Sequence, residues 1–148
     1  MPTMNRMYLN AGLVLVVAGL AAAIHFTQKK EEKGAPLTTL AADAVKTIAI
    51  EHPGQPTVKL QKDGMLWKLV EPVQSTTDPF EVATLVNLAA QETRRTLPLA
   101  DVKLAELKLD PPQFTITLND QTLGFGDLEP LEYRRYVRHG DTVALIDD

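Results

Sequence analysis

"KDGMLWKLVEPVQSTTDPFEVATLV", residues 62–86, decides the fold. Lys62, Asp63 and Gly64 form a tight-turn signal between two alternating runs, which predicts a β-hairpin. Before the turn, Val58 and Leu60 share one face and Lys59 and Gln61 the other. After it, Met65, Trp67 and Leu69 are expected on a common apolar face until Pro72 ends the strand. A helix then opens: Asp78 as N-cap, Pro79 at the first position, and Glu81 three residues after the cap. Asp78 is expected to accept from the Glu81 N–H. Val82, Leu85, Val86 and Ala89 recur at helical spacing and form an apolar face. Arg94 and Arg95 suit a helix C-terminus, so the helix is expected to end there.

Working outward, Ile48 and Ile50 alternate with Ala49 and Glu51, the period of a half-buried strand. Downstream, "LADVKLAELKL" reads as a short helix or helical turn stopped by Asp110–Pro112. "FTITL", "TLGFG", "EYRRYVR" and "TVALID" follow as strands, turning at Asn119/Asp120 and at Gly140/Asp141. About seven short strands and two helices emerge. Hairpin turns outnumber crossovers, so the expected class is α+β: a mostly antiparallel sheet with helices on one face.

The N-terminal part is of another kind. Residues 9–26 carry no formal charge apart from His25. As a helix they extend about 27 Å at ~1.5 Å per residue, close to the ~30 Å hydrocarbon core. An uncleaved transmembrane anchor, a cleaved export signal with Ala21–Ala23 near its end, and a buried helix are the three readings. The anchor fits best, because the apolar run is long for a signal and carries little polar face. The expected organisation is a short tail at 1–7, an anchor at 8–27, a stalk at 28–42 and a soluble domain at 43–148. Lys29, Lys30 and Lys33 outnumber Arg6, which by basic residues alone favours a cytoplasmic C-terminal side. The six-residue tail with one arginine resembles the start of an export signal and favours the opposite.

From Gly34 onward the chain carries 11 Lys/Arg and 17 Asp/Glu, a formal charge of −6. An acidic domain without a basic stripe is a poor nucleic-acid binder. Cysteine is absent, which removes disulfides, thiol nucleophiles and lipoprotein attachment. Ser75, the only serine, has none of the small neighbours of a nucleophile elbow. His25, His52 and His139 show no metal-ligand spacing, so neither metal nor cofactor is expected. Gly124 and Gly126, in "GFGD", read as a bulge and a turn rather than a phosphate loop. Trp67, on a strand's apolar face, reads as core. One polar cluster has the composition of an interaction patch: Arg134, Tyr136 and Arg138, together on one strand face. The plainer reading is a solvated face paired with Asp127, Glu129 and Glu132.

The order of these pieces resembles a bacterial domain-of-unknown-function family, numbered four-three-four-zero. The resemblance rests on Gly64, Trp67, Leu69 and Pro72; Asp78; Leu109, Asp110 and Pro112; Gly126; and Tyr136 with Val137, and it runs from Val45 to Asp148. Lys108 stands where that pattern has glycine. The resemblance implies a single-span protein of the cytoplasmic (inner) membrane with an extracytoplasmic, periplasmic domain. It also implies a neighbouring ABC-type transporter permease or other envelope protein, and no assigned catalytic residues. Besides the inner-membrane lipid bilayer, such a partner is therefore expected, with a non-catalytic accessory role. The alternative is a periplasmic ligand-binding module for a cell-envelope glycan or peptide.

Overall fold

The computed structural model describes residues 3–27 and 34–148. It divides into two units, residues 1–32 and 33–148.

The first unit is a single helix, α1 (Thr3–Thr27), so helix already begins within the expected tail. Its Arg6–His25 stretch is long and apolar enough to cross a membrane, and none of it is buried within the protein. The expected stalk residues 28–33, with Lys29, Lys30 and Lys33, lie outside the described residues.

The second unit is α+β, built on one nine-stranded sheet in the order β4-β3-β2-β1-β6-β7-β8-β9-β5. The strands are β1 (Thr47–Glu51), β2 (Val58–Asp63), β3 (Leu66–Glu71), β4 (Ser75–Thr76), β5 (Arg95–Pro98), β6 (Phe114–Leu118), β7 (Gln121–Leu128), β8 (Arg134–His139) and β9 (Thr142–Asp147). Every pairing between them is antiparallel. The helix α2 (Pro79–Asn87) follows β4 and continues into one 3-10 turn, Leu88–Ala90.

Alternation decides which side chains meet. Ile48 pairs with Leu60 and Leu118, Ile116 with Leu123, Phe125 with Val137, and Val137 with Ala144. These residues share one sheet face and form the core with Val82 and Ala89 on α2 and its extension. The register places Val143 and Leu145 on the opposite face, and both are buried. Segment 107–112 lies on that side. A Cβ on Gly126 would meet the Leu107 carbonyl oxygen at 2.2 Å and the Leu109 side chain at 2.9 Å. Only glycine fits there, and Gly126 falls where β7 loses register with β8, as a bulge should.

Several boundaries differ from expectation. The hairpin turn is Gly64–Met65, with Gly64 at φ +63°. Met65 therefore leaves the strand, 94% exposed, and only Trp67 and Leu69 keep the core-facing alternation. The Asp78 carboxylate accepts from the Phe80 N–H at 2.8 Å, one residue earlier than expected. Helical structure ends at Ala90, so Arg94 precedes and Arg95 opens a strand. "LADVKLAELKL" contains the 3-10 turn Leu99–Asp101 and then a helical turn closed at Lys108. There the Leu109 N–H reaches the Leu104 carbonyl at 2.8 Å and the Lys108 N–H reaches Ala105 at 3.2 Å. This is the Schellman pattern, and Lys108 occupies its left-handed position at φ +53°.

Residues 34–42, expected in the stalk, belong to the domain. The Leu37 N–H donates to Gln91 O at 2.7 Å and the Thr38 N–H to Ala89 O at 3.2 Å. Both residues are buried.

Candidate functional site

The most built concavity lies at the β3–β4 end of the sheet, under α2. It has a volume of about 470 Å³. Its floor is Trp67 and Leu66; Pro79, Ala83 and Val86 of α2 form the helical wall; Lys62, Lys68, Asp43 and Asn87 stand around it. Each wall has a local cause. Register with Lys62 sets Trp67 on β3, and the Thr77 hydroxyl donates to the Trp67 carbonyl at 2.8 Å. One residue later the Asp78 cap starts α2, so the helix runs across the tryptophan instead of away from it. Lys68 Nζ is 2.5 Å from Asp63 Oδ2, and this contact holds the Asp63 carboxyl below its ordinary range.

Trp67 is thus half-buried, packed against the core on one side and lining the groove on the other. Sequence alternation located its strand but could not show the groove. The opposing residues Ala83, Val86 and Asn87 reach it only through the tertiary packing of α2. The one hint in sequence was a tryptophan beside a hairpin tip and just before a capped helix.

The strand face Arg134, Tyr136 and Arg138 is present, and all three side chains are half-buried. Arg134 Nη1 lies 2.5 Å from Glu132 Oε2, and its Nε lies 3.9 Å from Asp147 Oδ1. Tyr136 stands opposite Leu145, and Arg138 opposite Val143 and Gly124. The main partner of Asp147 is Arg94, which binds it in a two-pronged contact at 2.6 and 3.0 Å. These contacts, Arg94 first, lower the Asp147 pKa. Of the acids expected to pair with this face, Glu132 does so, whereas Asp127 pairs with Lys108 at 3.1 Å. The face is a partly neutralised ladder continuous with the covered side of the sheet.

A third arrangement had no sequence signal. His52 stacks on Phe114 at 5.1 Å, and Phe114 on Phe125 at 4.6 Å. The Arg135 guanidinium lies 6.0 Å from the Phe114 ring and also binds the Gly126 carbonyl and Asp148. A cavity of about 380 Å³ opens beside His52, Pro111 and Pro112. Both faces of Phe114 are occupied, so this stack acts first as packing at the sheet's end. Ser75 lies on the two-residue edge strand, exposed, with its hydroxyl turned to the Thr76 carbonyl. Among the described residues, no three His, Cys, Asp or Glu side chains are grouped to hold a metal ion.

No curated protein and no solved structure matches the chain. A family model does, over residues 67–148, more than half of the chain and all of the sheet from Trp67 onward. On that match the chain belongs to the family described as domain of unknown function DUF4340.

Proposed function

We propose that this protein is a membrane-anchored, extracytoplasmic accessory module that binds a partner protein through the Trp67 groove and performs no catalysis. The partner class is an ABC-type transporter permease or another envelope protein. One combination supports this reading: a helix of membrane-spanning length and an antiparallel domain with a mostly apolar groove centred on a tryptophan. Tryptophan is enriched among the residues that dominate binding at protein interfaces. The resemblance favours the extracytoplasmic orientation, and the test below decides it. A photo-crosslinking amino acid at Met65, beside the groove, provides the test in cells. Capture of an integral membrane subunit supports the proposal; capture of cytosolic proteins only overturns both partner and orientation.

A second reading has its own support. A volume of about 470 Å³ falls within the ~300–1,000 Å³ of small-ligand pockets. On that reading the protein binds a cell-envelope glycan or peptide, at the groove or at the Arg134, Tyr136 and Arg138 face. Calorimetric titration with muropeptide fragments separates the two: saturable heat lost in Trp67→Ala favours the groove, and loss in Arg138→Ala favours the strand face.

A further inference from the structure

We propose that the loop joining β7 to β8 dips into the interface of the bilayer, with Leu131 and Tyr133 as the inserted side chains. This rests on the anchor reading above and adds a second membrane contact. Leu131 is 86% and Tyr133 73% exposed, an apolar pair with no cover inside the domain. The loop is built to hold them there. The Glu129 N–H donates to the Arg134 carbonyl at 2.7 Å, and the Tyr133 N–H to the Glu129 carbonyl at 3.1 Å. Tyr133 sits at φ +54°, in the left-handed region that residues with a Cβ rarely enter.

The place of the loop in the domain names its occupant. The chain enters the domain at Gly34, packed against Thr93, whose hydroxyl donates to the Ala35 carbonyl at 2.8 Å. The next residue, Arg94, grips Asp147, and Asp147 also faces Arg134, which follows Tyr133. Entry point and loop therefore share one corner of the sheet. Only residues 26–33 separate the apolar span from Gly34, and so short a segment reaches roughly 30 Å at most. Tyrosine beside arginine is the composition of an interfacial anchor. Glu132 is matched by Arg134, so the contact is apolar rather than an attraction to anionic lipid. Met65 provides the contrast: it is 94% exposed but lies at the opposite end of the strands.

The chain has no cysteine, so Leu131→Cys and Met65→Cys each give one attachment point for a spin label. The full-length chain is reconstituted in phosphatidylcholine vesicles, and collisions with oxygen and with a water-soluble nickel chelate are compared. The expected result is a several-fold higher oxygen-to-nickel ratio at Leu131→Cys than at Met65→Cys, unchanged when phosphatidylglycerol is added. Equal ratios overturn the proposal. So does shielding at Leu131→Cys that grows with the protein-to-lipid ratio, which would mean a protein partner. Flotation separates the two levels: a chain that floats with an aqueous Leu131 label defeats the loop contact alone, and a chain that does not float defeats the anchor as well.

Discussion

Replacing Lys108 by glycine and, separately, by alanine tests the helical turn that ends on the covered side of the sheet. Lys108 has φ +53° at the left-handed position of the Schellman turn. A residue with a Cβ gives up about 1–2 kcal/mol in that conformation. Glycine avoids this cost but returns about 0.4–1 kcal/mol through its freer unfolded chain. The glycine variant should therefore exceed the alanine variant by about 0.5–1 kcal/mol. Both lose the Lys108–Asp127 ion pair, whose side chains are 59% and 47% exposed, so that loss cancels from the difference. Solvent screens the pair in either variant. Urea unfolding of the full chain in detergent, followed by the fluorescence of Trp67, reads the difference directly. An alanine variant as stable as the glycine variant, or more so, would refute the strain argument. The glycine of the family pattern would then need another explanation.

Asp78→Ala should cost about 0.5–2 kcal/mol in the same assay, and Asp78→Asn should recover much of it, since the bond to the Phe80 N–H needs only an oxygen acceptor. Gly126→Ala should destabilise by about 3 kcal/mol or more, because a methyl at 2.2 Å from the Leu107 oxygen forces apart two backbones. Trp67→Ala, followed by circular dichroism because it removes the single tryptophan, should cost about 1.5–3 kcal/mol, below the ~3–5 of a fully buried aromatic, and should abolish crosslinking from the groove. Asp63, Asp127 and Asp147 all have lowered pKa values, through Lys68, Lys108 and Arg94 respectively. Their contribution is present above the unfolded carboxylate value near ~4 and is lost as pH falls through the lower folded values. The melting temperature should accordingly drop in that acid range, and less steeply in Arg94→Gln.

What could be read from the residues follows physical range. β1, the β2–β3 hairpin, the capped start of α2 and the run from β6 to β9 were visible because alternation and turn chemistry are local. The α+β, antiparallel class followed from them. β4 was not visible, since two residues carry no period. β5 was not visible either: "RTLP" holds a proline and an arginine and becomes a strand only because β9 pairs with it. The Arg134, Tyr136 and Arg138 face was legible as a face. Its charge balance was not, because Arg94 and Asp147 arrive from distant segments. The groove was least legible, since α2 closes over Trp67 only after the cap has set its direction.

The strand order has a kinetic meaning. β1 to β4 and β6 to β9 are each a run of neighbours joined by short connections, except for the helical excursion after β4. Within the sheet these two meanders meet only at the β1–β6 seam. Forming that seam closes the long excursion from Glu51 to Phe114, so its loop-closure entropy is offset only when Ile48 meets Leu118 and Ile50 meets Ile116. Asn119 fastens one end of the seam: its side-chain oxygen accepts from the Lys46 and Thr47 N–H groups at 2.8 and 3.2 Å, and its amide donates to the Ala44 carbonyl at 2.9 Å. The seam is thus the pairing of greatest sequence separation in the sheet, and one asparagine latches its end.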